Sequence, residues 1–298
     1  MLSCKLLAKT GNKASVALIG PGKLAQSLAP ALAAARYRVR EIVGRYSAES
    51  RRRTRALARR VGAAASTLTT ATFDADLVWL CVSDDAIGAC AREIAPLRNW
   101  KGKLVLHSSG ALSSDLLAPL SRRGAHVGTL HPMMSFVHGS ATSMRGVPFA
   151  VEGSAAALRV ARRIARDLGG FAFEIKKKNK TLYHSAGSFA SPMLVVVLAT
   201  AEKIARTAGV PAREVRRVLA PILRKTIENY IANGAAAAFS GPLVRGDVRT
   251  IERHVRELRR VPGALEAYRA LIGIAVRELP VRKASEITRI VGSPVRRK

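Results

Sequence analysis

Short apolar runs alternate with helix-spaced apolar positions through the first half of the chain. Ala14-Ser15-Val16-Ala17-Leu18-Ile19 reads as a buried strand, and Leu24, Leu28 and Leu32 behind it recur at helical spacing. A second strand is predicted over residues 37–43 and a helix over 48–60. The run at 77–82 is strand-like and stops at the polar Ser83-Asp84-Asp85. Further short strands are predicted over 103–107, 126–130, 147–151 and 171–175, the last two bracketing a helical pattern with Leu158, Ile164 and Leu168. Strands alternating with helices predict an α/β layered domain with a mostly parallel sheet.

The texture changes near Lys176, beyond which no strand pattern is evident. A long, largely apolar helix is predicted over 185–208, stopped by Gly209-Val210-Pro211. Residues 214–233 form a second helix candidate, with Pro221 placed to kink or divide it. Residues 235–239 are alanine-rich, Ser240-Gly241-Pro242 is a break, and 247–260 and 264–278 complete an all-helical second part. The expected division is therefore 1–176, α/β, and 177–298, helical. The helical part is too apolar to stand alone in water, so its outlet is the first domain or a second copy of the chain; a homodimer is expected.

Composition narrows the class. A chain of 298 residues, 48% hydrophobic, is long enough for about two domains. Residues 192–201 form the longest apolar run, short of the roughly 18 needed to span a bilayer, and lead into Glu202 and Lys203. Residues 1–13 lack the apolar core of a signal peptide, so no membrane association is expected. Three cysteines, Cys4, Cys81 and Cys90, contain no C-x-x-C pair; this fits a reducing cytoplasm and argues against a disulfide scaffold or a zinc site. The net charge of +30 is dispersed in short clusters, from Arg51-Arg52-Arg53 to Arg296-Arg297-Lys298, without interleaved aromatics or a long basic arm. A nucleic-acid partner is not expected; small anionic ligands should still be drawn to such a field.

Chemistry first suggests itself at Gly20-Pro21-Gly22-Lys23-Leu24-Ala25, a G-x-G-x-x-A turn between a strand and a helix. In a dinucleotide site the first glycine allows the tight turn, the second lets backbone approach the pyrophosphate, and the small third residue lets helix and strand pack closely. The helix N-terminus then offers N–H groups to phosphate. Ligands of open parallel sheets bind beyond the carboxyl ends of the strands. The other predicted strand ends are Gly44-Arg45-Tyr46-Ser47, Val82-Ser83-Asp84-Asp85, His107-Ser108-Ser109-Gly110 and His131-Pro132-Met133, all polar or glycine-bearing. Where an NAD site expects an acid on the ribose, this chain has Arg45 and Ser47, which suit a 2′-phosphate; NADP is the expected cofactor. Glu41 is the competing acid, inside its strand. Val82, Ser83, Asp84 and Ser108 are expected on the ribose and nicotinamide side, with Asp84 or Asp85 alternatively capping the helix that follows.

His107 and His131 each end a strand, where a histidine is commonly a structural hydrogen-bonding residue. Lys180, Tyr183 and His184 open the long helix, and positions 180, 183/184, 187 and 188 share one face. Lys180 or His184 is a candidate proton donor to a developing alkoxide or amine, with His131 orienting substrate or nicotinamide. Arg245 is a candidate for a substrate carboxylate, or for an ion pair. No metal site, nucleophile elbow or P-loop is present.

Taken together, Ile19-Gly20-Pro21-Gly22, Val82 to Ile87, His107 to Gly110, Leu130 to Met133, Lys180 to His184, Ser240 to Asp247 and His254 resemble a bacterial family of Rossmann-like proteins whose second half is a domain of unknown function. The resemblance spans about residues 15–258. Its wider superfamily includes pyrroline-5-carboxylate reductases, ketopantoate reductases, prephenate dehydrogenases and 3-hydroxyacid dehydrogenases. It implies an NADP-binding Rossmann-type, mostly parallel sheet followed by an all-helical domain like that of 6-phosphogluconate dehydrogenase, which commonly builds a dimer and closes the site. The chain departs from that pattern at two points. Pro192 stands where many members have asparagine after Phe189-Ala190-Ser191, and Lys180 is followed four residues on by His184 instead of Asn. The expected activity is hydride transfer between NADP and a small, anionic carbonyl or imine compound, such as a 2-keto acid of the ketopantoate type. The glycine turn alone would equally serve a non-catalytic NADP-binding regulator.

Overall fold

The computed structural model describes residues 13–136 and 142–292; Cys4 and the basic run Arg296-Arg297-Lys298 lie outside them. Internal contacts divide the chain into two compact units, Met1–Ser191 and Pro192–Lys298.

The first unit is built on an eight-stranded sheet. Its strands are β1 (Val16–Ile19), β2 (Val39–Gly44), β3 (Ala64–Thr67), β4 (Leu77–Leu80), β5 (Leu104–His107), β6 (His126–Pro132), β7 (Pro148–Gly153) and β8 (Phe171–Glu174), in the order β3-β2-β1-β4-β5-β6-β7-β8. Every neighbouring pair is parallel except β6 with β7. The central strands β1, β4 and β5 are buried at every position. That is why they read as unbroken apolar runs and not as alternating patterns. β3 escaped the sequence reading because Ala64-Ala65-Ser66-Thr67, on the sheet edge, is largely exposed and carries no apolar run.

Helices cover both faces. One core joins Val16, Leu18, Ile42, Trp79 and Leu106 of the sheet to α1 (Lys23–Ala34) through Leu28 and Leu32, to α2 (Ala48–Val61) through Leu57, and to α4 (Ala155–Asp167) through Ala161 and Ile164. The opposite core joins Ala17, Ile19, Val78, Leu80 and Val105 to α3 (Asp84–Ile94) through Ile87, Ala91 and Ile94, with Phe73 and Trp100 filling its base. The alternation of Val16 and Leu18 against Ala17 and Ile19 sends successive side chains of β1 to opposite cores.

The chain reverses its order about β1, whose neighbours are β2 and β4. A crevice opens at such a switch point beyond the carboxyl ends of the strands. The polar strand ends identified from sequence lie along this edge. β6 runs two residues beyond its expected end, to Pro132, so His131 is within the strand and opposite Ala150 of β7.

The helix that starts at Lys180 crosses the division between the units as α5 (Lys180–Ser188), a π turn (Phe189–Met193) containing Pro192, and α6 (Leu194–Thr207). Lys177–Thr207 reaches 31 residues with a mean hydropathy of 1.4 in its most apolar window. By length and composition alone it could cross a membrane, which the count of consecutive apolar residues did not reveal.

In the second unit, α7 (Val215–Ala238) passes through Pro221 and breaks at Gly234, where φ is +76°. The break coincides with the end expected at residue 233, and Pro221 stays inside the helix without dividing it. α8 (Val248–Leu258), α9 (Ala264–Glu278) and the unanticipated α10 (Ala284–Val291) enclose a small core of Ile251, Val255, Leu265, Ile272, Ile287 and Val291. In contrast, α6 buries no residue and α7 only Val215. Val195, Val196, Ile222, Tyr230 and Ile231 stand exposed.

Gly153 shows how tightly β6 and β7 meet. It sits at φ +143°, and a Cβ there would be 2.4 Å from Gly128 Cα and 2.5 Å from Val127 O. Both backbone strain and overlap oppose a side chain. Gly153→Ala is expected to destabilise the protein by on the order of 2 kcal/mol or more, read as a fall in the denaturation midpoint; an unchanged midpoint would contradict this packing.

Candidate functional site

The glycine turn follows β1 at the switch point. Gly20 adopts φ +100°, donates its N–H to Val43 O at 2.8 Å, and would place a Cβ 2.7 Å from Cys81 O and 3.0 Å from Val82 Cγ1. Any side chain there would collide with the strand end beside it. Gly22 differs. Its φ is −76°, and a Cβ would meet nothing nearer than 3.8 Å. What Gly22 keeps clear is the open side of the turn. It occupies the N-cap of α1 without a side-chain cap, and no acidic residue lies in the first turn. The helix thus presents its amino end uncapped beside Pro21, Lys23 and Leu24, while Ala25 is fully buried beneath.

β2 ends at Gly44, and Arg45 follows on the surface. The Arg45 N–H donates to Ser50 Oγ at 2.9 Å, while its guanidinium has no hydrogen bond or ion pair among the described residues. Ser47 caps α2, its Oγ accepting from Ser50 N at 3.3 Å. Glu41 is only 3% exposed. Its carboxylate accepts from Ser66 Oγ at 2.6 Å and from the N–H groups of Thr72 and Phe73, both at 3.1 Å. The competing acid is thus consumed in tying β2 to β3 and the following loop. An uncapped helix end, a clear approach over Gly22 and an arginine at the end of β2 fit a dinucleotide with a 2′-phosphate.

After β4 the N-cap of α3 is Ser83, with no side-chain cap bond; Asp84 and Asp85 fall in the first turn and do not occupy the cap expected of them. Asp84 Oδ2 instead accepts from Ser109 Oγ at 2.9 Å. The same Ser109 hydroxyl accepts from the N–H groups of Ala111 and Leu112 at 3.2 and 2.9 Å, which shapes the loop after β5. Ser108 Oγ accepts from the indole of buried Trp79 at 2.7 Å. His107 has no exposed surface; its Nδ1 accepts from Ser109 N and its Nε2 donates to Ser113 O, each at 3.1 Å. Burial pushes its pKa down to about 4, so this neutral imidazole is a brace for the loop.

A second cluster assembles where α5 lies against the ends of β5 and β6. Lys180 is completely buried, and its ammonium donates to Ser109 O at 3.1 Å and Thr129 Oγ1 at 3.0 Å. Burial lowers its pKa to about 8, against the favourable fields of Glu152 and Asp84. One turn on, Tyr183 Oη lies 3.0 Å from His131 Nδ1, and the His184 ring stands edge-on to His131 with centroids 6.0 Å apart. Burial, with Lys180 and His184 nearby, brings His131 down to about 4. Gly110 faces both rings: a Cβ there would fall 2.7 Å from His131 Nε2 and 2.7 Å from His184 Cδ2. Gly187 closes against Met133, so 180, 183, 184 and 187, among the positions expected on one face, lie on the side of α5 towards the strand ends. Lys180 turns its ammonium into the loop, while His184 stays exposed. Sequence reasoning gave no role to Gly110, Thr129 or Tyr183; Tyr183 was visible on the shared face, but its partner lies 52 residues away.

Arg245 belongs to the second unit. It ends a four-residue helix and pairs with Asp247 at 2.8 Å. Asp247 is the N-cap of α8 but makes no capping bond; the ion pair takes its carboxylate. No group of metal-ligating side chains occurs among the described residues.

Residues 8–132 match the model of a Rossmann-like domain, and residues 147–273 match that of a domain of unknown function, DUF2520. The chain pairs a Rossmann-like domain with a DUF2520 domain. No curated protein matches the sequence. Among solved structures, a candidate NADP oxidoreductase of Bacteroides fragilis is 23% identical with a TM-score of 0.72, the match covering 87% of this chain and 96% of that one. Protein TM1727 of Thermotoga maritima is 22% identical at TM-score 0.70, over 92% and 99%. A reductive aminase of Aspergillus terreus, solved with NADPH and ethyl-5-oxohexanoate, is 17% identical at TM-score 0.65, over 93% and 99%. These likenesses are of fold: a mostly parallel sheet followed by a helical region, as in NADP-dependent oxidoreductases. No part of the most apolar window of the Lys177–Thr207 helix is buried.

His107 makes the stability of the loop pH-dependent. Its pKa of about 4 when folded lies below the ordinary 6.5, so between those values the unfolded chain binds a proton that the folded one refuses. The contribution of neutral His107 is intact above about pH 6.5 and is lost as pH falls towards 4, on the order of 3 kcal/mol. Denaturant unfolding at the two ends of this window should show that loss in the native protein and a smaller one in His107→Asn; equal losses would contradict the assignment.

Proposed function

We propose that the protein is an NADP-dependent oxidoreductase acting on a small carboxylate-bearing carbonyl or imine compound, with a 2-keto acid such as ketopantoate as one candidate. The observation that carries this reading is the uncapped, unobstructed glycine turn at the switch point. Gly20, Pro21, Gly22, Lys23 and Leu24 would hold the pyrophosphate by backbone N–H groups. Arg45 and Ser47 would take the 2′-phosphate, and Val82, Ser83, Asp84 and Ser108 line the strand ends towards the nicotinamide. NADPH would supply the hydride.

The chain's own contribution is to orient the substrate and manage a proton. His131 and His184 meet over Gly110, where they can donate to the oxygen or nitrogen that gains charge. Lys180 sits beneath them, braced by Ser109 and Thr129, and supplies positive charge to the same region. The basic surface favours an anionic substrate, whereas the Arg245 guanidinium is taken by its ion pair with Asp247. The exposed apolar faces of α6 and α7 support a homodimer, and the unpaired thiols Cys81 and Cys90 suit the cytoplasm. Neither a membrane nor nucleic acid enters this reading.

Loss of nicotinamide absorbance, followed with NADPH against a panel of 2-keto acids and cyclic imino acids, tests the activity. Turnover is expected with at least one of them. Gly110→Ala should leave NADPH affinity intact and lower kcat by about a hundredfold, because its methyl group occupies the space against both rings. NADPH binding without turnover of any panel member would favour a nucleotide-binding regulator, and full activity in Gly110→Ala would remove the histidines from the mechanism.

A further inference from the structure

Tyr183 is held as firmly as the histidine it meets. Its ring packs edge-on against Phe173 of β8, centroids 5.8 Å apart, and against His131 at 5.6 Å. Its hydroxyl has one hydrogen-bond partner among the described residues, His131 Nδ1 at 3.0 Å. The far nitrogen of that imidazole, Nε2, has no partner among them and lies against Gly110. The titratable groups around His131 are Lys180, Tyr183 and His184, all on α5; β7 presents Ala150 opposite it and the loop after β5 presents Gly110. A phenol is a stronger hydrogen-bond donor than a neutral imidazole N–H. With Lys180 holding a positive charge nearby and burial opposing a second one, the ring stays neutral, and a neutral imidazole has one N–H and one bare nitrogen.

We propose that Tyr183 is a positioning residue: its phenol donates to His131 Nδ1, fixes the imidazole as the Nε2–H tautomer, and so makes the site over Gly110 select a neutral carbonyl oxygen against an already protonated iminium. This rests on the hydride-transfer reading. As the carbonyl carbon gains a hydride, the C=O π pair passes to oxygen. Nε2 gives that oxygen its proton, Nδ1 takes the Tyr183 proton, and the phenolate recovers one from water. The ring never becomes a cation, which suits its place beside Lys180. A protonated iminium would meet an N–H where it needs an acceptor, so the same tautomer opposes it.

Long-range proton–nitrogen NMR on the full chain, labelled with 15N-histidine and assigned with His131→Gln, reads the tautomer directly. The native protein should carry its proton on Nε2 with Nδ1 bare at neutral pH, and Tyr183→Phe should shift His131 towards a mixture of tautomers. A native His131 protonated on Nδ1 overturns the proposal without any variant, and so does an unchanged tautomer in Tyr183→Phe. With NADPH and the keto acid of the panel that is turned over best, Tyr183→Phe should lower kcat by about a hundredfold while KM for NADPH stays put. Reduction of cyclic imino acids at pH values where they are protonated, with no keto acid turned over, overturns the selectivity. Absence of NADPH binding would instead sink the hydride-transfer reading and leave the tautomer result standing.

Discussion

One buried ammonium sets the geometry of the candidate site. Lys180 is fully buried, and its Nζ is held by a backbone carbonyl of the loop after β5 and by a hydroxyl of β6. Three segments distant in sequence are thereby fixed at one point. Burial disfavours the charged form and lowers its pKa to about 8, a net cost of about 3 kcal/mol relative to water once nearby carboxylates are counted. Those carboxylates are Glu152 and Asp84, whose fields offset part of the burial. Asp84 holds Ser109 in place, and Glu152 binds Ser114 through both oxygens. The carboxylates thus organise the loop that supplies Lys180 with its acceptor. A buried charge kept by so many partners serves specificity of arrangement more readily than stability.

The same economy of space governs both halves of the site. At the switch point, Gly20 is required by the neighbouring strand, and Gly22 leaves the approach to the helix open. Over the second cluster, Gly110 lets two imidazoles lie against backbone. The rings and the turn share one edge of the sheet because β1, β2, β4, β5 and β6 all run in the same direction. The topology therefore delivers the uncapped glycine turn and the His131–Tyr183–His184 cluster to the same side by strand order alone.

Much of this was legible in the sequence. Fully buried strands such as β4 and β5 announce themselves as apolar runs, and the glycine turn carries its own mechanics. The shared face of Lys180, Tyr183, His184 and Gly187 followed from helical spacing. Edge strand β3 did not, since its residues need neither apolarity nor alternation to pair with β2. The helix end at residue 233 was legible, but whether Pro221 would divide the helix was not: a proline removes one hydrogen bond, whereas the positive φ of Gly234 ends the helical path. The partners of Lys180 and Tyr183 were also hidden. A loop carbonyl and Thr129 have no chemical signature in sequence, and the pairing of Tyr183 with His131 spans β6 to α5. Glu41 was the reverse case: visible as a rival ribose ligand, and excluded only once its three hydrogen bonds were seen.

The central claim is that the turn after β1 and Arg45 after β2 form an NADP site, and calorimetric binding of NADPH and NADH to the native protein and to Arg45→Ala tests it most directly. The account predicts that NADPH binds more tightly than NADH and that Arg45→Ala weakens NADPH by about tenfold or more while leaving NADH unchanged. Binding of neither nucleotide, or an Arg45→Ala variant that binds both as the native protein does, would contradict it.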